Sequence, residues 1–443
     1  MTAWRCPLSS PEKGRLFDLE PKARRALLVG TYKTGVSSKE TCEEQLQELK
    51  SLGDTYGIEA VVLLSAPLRQ IEAATFIGKG KVQEIANLAV AEKIDLVVFD
   101  DEISPQQQRN LEKAIGKPII DRAELILGVF AQRAHTKEAK IQIELAASRY
   151  QLPRLTRLWT HLSRQKTGGG GKGGFLKGEG EKQIEIDRRI LKRRIDQLQK
   201  ELVEVRKTRD LQRKARERSG IPTFAIIGYT NVGKSTLLKA LTDAEVLVED
   251  KLFATLDTTT RHFKLPNRQE ILLVDTVGFI RKLPHLLVAA FKSTLEEALY
   301  ADILLHLIDV SNPLAIAQAG TTIEVLKELG ADKRPIITVL NKVDQCEGRF
   351  PVEKMKILFP KPVEISALKQ EGFDRLLERM EEEIARLRKR VTLRVPQKDY
   401  ALVGELREQG KVHSLNYEDN DILIDIEIPR HLEKKVSPFE IGK

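Results

Sequence analysis

Gly228, Tyr229, Thr230, Asn231, Val232, Gly233, Lys234 and Ser235 read G-x-x-x-x-G-K-S, between an apolar run, Thr223–Ile227, and a helix-forming stretch, Ser235–Leu241. Glycines at this spacing let a backbone wrap phosphates, with amide N–H groups and a helix N-terminus turned toward the negative charge. Lys234 would then sit on the β- and γ-phosphates, and the Ser235 hydroxyl on Mg²⁺. In this strand–loop–helix setting the motif implies a bound nucleoside triphosphate rather than an ordinary glycine turn.

The base is legible too. Asn341, Lys342, Val343 and Asp344 follow the apolar run Ile336–Leu340. A carboxylate at Asp344 accepts from guanine N1–H and the 2-amino group, whereas adenine offers neither donor. A site built for such a pair rejects the wrong base by about four to five decades. Lys342 would lay its stem along the nucleotide. Between the two motifs lie Asp275, Thr276, Val277 and Gly278, closing the strand Ile271–Val274. There a carboxylate can hold Mg²⁺ through water, and the Gly278 N–H can meet the γ-phosphate. Ser366 and Ala367 close the strand Pro362–Ile365 and would touch guanine through the backbone. Four elements at strand C-terminal ends match the ligand edge of an open α/β sheet. Together they imply a GTPase, with Lys234, Asn231, Thr255 and Gly278 as the catalytic candidates.

Phe253, Ala254, Thr255, Leu256 and Asp257 precede Thr258, Thr259 and Thr260. Any of these threonines can complete a Mg²⁺ shell, and a threonine run equally suits a β-edge, so the residues alone leave Thr255 open. Phe279 stands where many GTPases carry a water-orienting glutamine. A phenyl ring cannot hydrogen-bond water, so basal hydrolysis is expected to be slow, on the order of 10⁻⁴–10⁻³ per second. In related GTPases without the glutamine, an Asn at the Asn231 position helps hold K⁺ where an arginine finger would lie. The same is expected here.

These motifs need a scaffold, and 443 residues suffice for two to four domains. No run approaches eighteen apolar residues, so no membrane span is expected, and Met1–Pro11 lacks a signal-peptide pattern. Cys6, Cys42 and Cys346 form neither a disulfide framework nor a metal set; they read as reduced thiols of a cytoplasmic protein. The net charge of +9 is unevenly placed. Residues 133–218 hold 24 Lys/Arg against 11 Asp/Glu, a net of +13, which leaves the remainder at −4. Such a one-sided excess is the footprint of a nucleic-acid binder.

Residues 24–134 alternate strand runs (Arg25–Thr31, Glu59–Leu64, Leu96–Asp100, Pro118–Asp121) with helical patterns (Lys39–Leu52, Lys81–Lys93, Pro105–Ile115, Arg122–Arg133). That alternation predicts a small parallel α/β domain. Phe76–Lys81 resembles a phosphate loop but lacks a preceding strand, and reads as a turn feeding a helix. Residues 135–219 form a basic helical hairpin: a helix over Thr136–Tyr150, a glycine-rich tip at Thr167–Gly174, and a long helix over Gln183–Arg216. Leu191, Ile195, Leu198, Leu202 and Val205 recur at 4-3-4-3 spacing, with Arg188, Arg189, Lys192 and Arg193 beside them. So short a seam fits packing on Ile141, Leu145 and Leu152 of a monomer better than a dimer. Residues 221–388 carry the GTPase motifs, and 391–443 suggest a small α+β domain of β-α-β-β order.

The chain resembles the HflX-type GTPases over nearly its whole length. The resemblance rests on the domain order and on Asp121–Leu127, Phe130–Arg133, Tyr150–Arg154, Gly228–Ser235, Phe253–Asp257 and Asp275–Phe279. It implies Mg²⁺ on Ser235 and Thr255. It also implies nucleotide contacts at the phosphate loop, Phe253–Asp257, Asp275–Gly278, Asn341–Asp344, and Ser366, Ala367 and Leu368. It further implies binding to the RNA of the large ribosomal subunit and splitting of stalled or idle ribosomes, the hairpin tip entering the peptidyl-transferase region. An assembly factor for that subunit and a signalling switch with protein partners are the alternatives. Gly178–Gln183 and Asp257-Thr258 depart from the family's usual stretches, which bears on the tip and leaves GTP binding alone.

Overall fold

The computed structural model describes residues 24–33, 35, 38–155, 177–242, 252–253, 259–282, 300–331, 333–346, 348, 350–418, 420–429 and 432–441. The chain divides into two compact units. One holds residues 1–203 with 250–254 and 282–291; the other holds 204–249, 255–281 and 292–443.

In the first unit, β1 (Arg24–Lys33), β2 (Ile58–Leu68), β3 (Leu96–Phe99) and β4 (Ile119–Asp121) form an all-parallel sheet of order β2-β1-β3-β4. The connecting helices are α1 (Lys39–Tyr56), α2 (Lys79–Ala91), α3 (Pro105–Ile115) and α4 (Arg122–Arg133). Parallel strands covered on both faces need continuous apolar runs, and Leu96–Phe99 is buried throughout. Leu27, Val29, Val97, Phe99 and Ile119 anchor one side of this core. Gly78 precedes α2, so Phe76–Lys81 is the helix-feeding turn that its lack of a preceding strand indicated. Ser104 and Gln107 make a reciprocal capping box around Pro105 at the start of α3.

The arm begins at α5 (Lys137–Gln151), capped by Thr136, and runs into a 3₁₀ turn at Leu152–Arg154 where Pro153 ends the α pattern. Its second helix, α6 (Lys177–Ser219), is 43 residues long and extends past both ends of the expected Gln183–Arg216. Leu191, Leu198 and Leu202 are buried, as are Ile141 and Leu145 on α5, while Ile195, Val205 and Leu152 are half-buried. Arg194 of α6 clamps Glu144 of α5 with both carboxylate oxygens, at 2.6 and 2.8 Å. This bidentate pair joins the two helices of the arm within one chain. The glycine-rich tip lies outside the described residues.

One carboxylate roots the arm. Asp121 caps α4 through the Glu124 N–H (2.9 Å), and its Oδ1 also accepts from the Tyr150 hydroxyl (2.9 Å). Arg154 reaches Oδ2 at 3.4 Å and the Ile103 carbonyl at 2.8 Å, and stacks over the Tyr150 ring at 3.6 Å. Burial pushes the Asp121 carboxyl above the usual carboxylate range, against the opposing pull of these donors.

The second unit is built on a six-stranded sheet of order β10-β9-β8-β5-β7-β6. Its strands are β5 (Thr223–Gly228), β6 (Thr259–Lys264), β7 (Glu270–Asp275), β8 (Ile303–Asp309), β9 (Ile336–Asn341) and β10 (Val363–Glu364). All pair parallel except β6, which runs antiparallel to β7. Among the described residues its helices include α7 (Lys234–Thr242), α8 (Ala315–Leu329), α9 (Phe350–Leu358) and α10 (Phe373–Leu387). Thr259 and Thr260 thus belong to an edge strand, the β-edge alternative weighed for the threonine run. Beyond α10, β11 (Arg388–Pro396), α11 (Tyr400–Gln409), β12 (Lys411–Glu418) and β13 (Asp421–Pro429) follow in β-α-β-β order, before a short α12 (Glu433–Val436). Their antiparallel sheet, of order β11-β13-β12, buries Leu393, Leu406, Ile424 and Ile426.

Candidate nucleotide site

Strand β5 ends at Gly228, and the chain turns through Tyr229–Gly233 into α7. Two glycines here are fixed by crowding rather than by flexibility. A side chain on Gly233 (φ +94°) would meet Asn341 Nδ2 at 2.4 Å, and one on Gly278 would meet Lys234 Nζ and Thr230 Cγ2 at 2.8 Å. The absent Cβ of Gly233 therefore opens the path by which Asn341 crosses to the loop. Asn231 adopts a left-handed φ of 63°, which its short polar side chain tolerates.

Lys234 is buried and folded onto its own loop, donating to the carbonyls of Tyr229 (2.7 Å) and Gly228 (3.3 Å). Burial lowers its pKa to about 8, opposed by the charge of Asp275. The Ser235 hydroxyl donates to Asp275 Oδ2 at 2.7 Å. A hydroxyl and a carboxylate side by side at the loop form an oxygen-only donor set, which fits Mg²⁺ and disfavours softer metals. Thr276 is buried, its hydroxyl donating to the Ile226 carbonyl at 2.7 Å. After Val277 and Gly278, Phe279 bridges the loop in parallel: its N–H reaches Gly228 O (3.1 Å) and its carbonyl accepts from Thr230 N–H (2.8 Å). The Phe279 ring is buried in the core, and the Tyr229 hydroxyl accepts from the Arg281 N–H at 2.7 Å.

The residues expected to read the base lie at the ends of two neighbouring strands, β9 and β10. Asn341 Nδ2 donates to the Val232 carbonyl (2.7 Å), and its Oδ1 accepts from Ala367 N–H (2.9 Å). A single side chain thus ties the phosphate loop to the Ser366–Leu368 turn. Lys342 turns the chain through a left-handed conformation into a 3₁₀ turn holding Val343 and half-buried Asp344. Ser366 is buried and Leu368 is 73% exposed.

The structure therefore brings together Gly228–Ser235, Asp275–Gly278, Asn341–Asp344 and Ser366–Leu368 in one unit. Phe253 lies in the first unit, edge-on to Phe130 with ring centroids 4.5 Å apart. Ala254, Thr255, Leu256 and Asp257 lie outside the described residues. Sequence reasoning passed over Asp309, which ends β8 beside Asn341 and holds Lys342 Nζ at 2.7 Å. A strand-terminal carboxylate on an apolar strand was the available signal.

Comparison with known proteins extends this picture. Residues 43–131, 133–216 and 223–342 match family models described as GTP-binding GTPase N-terminal, GTP-binding GTPase middle region and 50S ribosome-binding GTPase. GTPase HflX of Chlamydia pneumoniae is 50% identical over 431 residues, covering 96% of this chain and 91% of that protein. GTPase HflX of Caldanaerobacter subterraneus subsp. tengcongensis is 43% identical, covering 96% of each. Among solved structures, the SsGBP–GDP complex is 29% identical over 82% of this chain and 99% of that one, with a TM-score of 0.47.

Proposed function

We propose, from the premise that this chain belongs to the HflX family of GTPases and hydrolyses GTP, that it is a ribosome-directed switch. In its GTP state it grips the large ribosomal subunit and separates stalled or idle ribosomes, and hydrolysis resets it. The energy of separation comes from binding, which γ-phosphate-dependent ordering of the switch segments makes stronger in GTP than in GDP.

The observation that carries this reading is the two-faced arm. Leu191, Leu198 and Leu202 are buried, while Arg188, Arg189, Lys192 and Arg193 stand exposed. Within residues 133–218 the excess of +13 has too few acidic partners to be neutralised, and RNA phosphates supply the complement. The description of the matched family model, 50S ribosome-binding GTPase, supports the same partner.

At the nucleotide, Lys234 would swing from its loop carbonyls to the β- and γ-phosphates. The Gly278 N–H would meet the γ-phosphate, and Asn341 and Asp344 would frame the guanine, with Ser366–Leu368 alongside. Ser235 would hold Mg²⁺ directly, with Thr255 as its second protein ligand and Asp275 acting through water. When bound, the ion neutralises charge on the phosphate oxygens. Phe279 is buried and offers water no hydrogen bond, so basal turnover is slow. Asn231, in the same loop, would help hold a K⁺ ion, and equal basal rates in K⁺ and Na⁺ would remove that role.

Sedimentation with purified large subunits tests the reading, in a non-hydrolysable GTP analogue and in GDP, at about 50 and 200 mM salt. At least tenfold tighter binding with the analogue, weakening steeply with salt, is expected. No binding in either nucleotide would overturn the proposal and redirect it to protein partners.

A further inference from the structure

Asp309 belongs to none of the motifs that bind phosphate, Mg²⁺ or guanine, yet it is buried at the ligand edge of the sheet. It ends β8 and pairs in register with Asn341 at the end of β9. Its Oδ2 lies 2.7 Å from Lys342 Nζ. Its Oδ1 accepts from the Ser311 N–H (3.0 Å) and the Ser311 hydroxyl (2.6 Å). Both oxygens are thus held, and the carboxylate is a fixed anchor rather than a mobile surface charge. The Val310 N–H donates to the Asn341 carbonyl at 3.1 Å, which locks the two strand ends together.

Lys342 needs such an anchor. Its backbone turns through φ 62°, ψ 35°, and its four-carbon stem would otherwise sample many rotamers. We infer that Asp309 is a positioning residue for the guanine site: by gripping the Lys342 ammonium it lays the aliphatic stem down as the platform for the base. Asp344, two residues on, is left to read the base edge. Asp309 sets how tightly the base is held and has no part in phosphate chemistry. The inference rests on guanine-nucleotide binding and stands apart from the ribosome reading.

The test is steady-state GTP hydrolysis and direct GDP titration with Asp309→Asn, Lys342→Met and the double variant, in the full chain. With turnover this slow, KM reports nucleotide affinity. Asp309→Asn is expected to raise KM and the GDP Kd about tenfold at unchanged kcat. Because both residues act as one unit, the double variant should bind no more weakly than Lys342→Met alone. The ratio of GTP to ITP affinity should stay constant, since ITP lacks only the 2-amino group read by Asp344.

Multiplying single-variant effects, or a collapse of the GTP/ITP ratio in Asp309→Asn, would overturn the inference. So would a loss of kcat at constant KM. If Asp309→Asn proves unstable, Ser311→Ala supplies a second arm, because it removes the shorter of the two hydrogen bonds on Oδ1 and leaves the backbone N–H and the charge. It should raise KM two- to threefold at constant kcat, and an unchanged KM would count against the anchor.

Discussion

The Ser235 hydroxyl donates to Asp275 Oδ2 at 2.7 Å, joining the first turn of α7 to the last residue of β7. In the proposed complex these two groups would hold Mg²⁺, the hydroxyl directly and the carboxylate through water. Ser235→Ala or Asp275→Asn should therefore weaken GTP binding about 10- to 100-fold in excess Mg²⁺. Neither should change it in EDTA. Equilibrium titration of a fluorescent GTP analogue under both conditions decides it; a loss of equal size in EDTA would mean that the pair supports the loop and not the ion.

Lys234 supplies a pH dependence whose sign is fixed. Burial brings its pKa to about 8, below its ordinary 10.5, so the free protein releases this proton as pH rises past 8. A triphosphate needs the ammonium, so binding above pH 8 must take up a proton. The GTP Kd should rise by about tenfold per pH unit above 8 and stay flat just below it. Calorimetry in buffers of different ionisation enthalpy should register uptake approaching one proton at pH 9, and none at pH 7. In Lys234→Met both the slope and the uptake should vanish along with most of the affinity.

The legible parts of the molecule share one property: their signal is local. Gly228–Ser235 and Asn341–Asp344 announce themselves because a loop around phosphates and a carboxylate at a base edge need fixed neighbours in the chain. Buried parallel strands such as Leu96–Phe99 are as plain, since both faces demand apolar residues. Strand β6 was harder to see, because Thr259–Lys264 is an edge strand with little buried surface, specified chiefly by its ladder to β7. The Asp309–Lys342 pair was invisible for another reason. Only the parallel register of β8 on β9, which aligns Asp309 with Asn341, brings it within reach. The family-signature stretches around Asp121 and Tyr150 carry no local physical signal, and the hydrogen bond between the two residues at the root of the arm supplies a reason for them.

That root makes its own prediction. Tyr150→Phe removes the hydroxyl that reaches Asp121 Oδ1 and leaves a buried carboxylate short of a donor. The expected cost is about 1–3 kcal/mol, felt where α4, β4 and α5 meet. A chain with two compact units need not unfold in a single step, so a global midpoint is a poor gauge. Amide hydrogen exchange is the better measurement: protection in α4 and α5 should fall while β5, β8 and β9 keep theirs. Uniform loss across both units would show that Asp121 does not act locally.

His306 provides a stability switch on the acid side. Its ring is buried in β8, edge-on to Phe359 with centroids 6.0 Å apart, and neither ring nitrogen has a hydrogen-bond partner among the described residues. Burial alone lowers its pKa to about 4, from an ordinary 6.5. Between those values the unfolded chain binds a proton that the folded chain refuses. Stability must then fall as pH drops from 6.5 to 4, by an amount on the order of 3 kcal/mol, and level off below. With neither nitrogen satisfied among the described residues, His306→Leu should cost little at pH 7.5 and become the more stable protein at pH 5. Amide hydrogen exchange in β5, β8 and β9 of both proteins at pH 7.5, 6 and 5 checks this through the difference between them, which cancels the acid response of every other group. If that difference does not change with pH, His306 carries its proton in the fold and its nitrogens are satisfied after all.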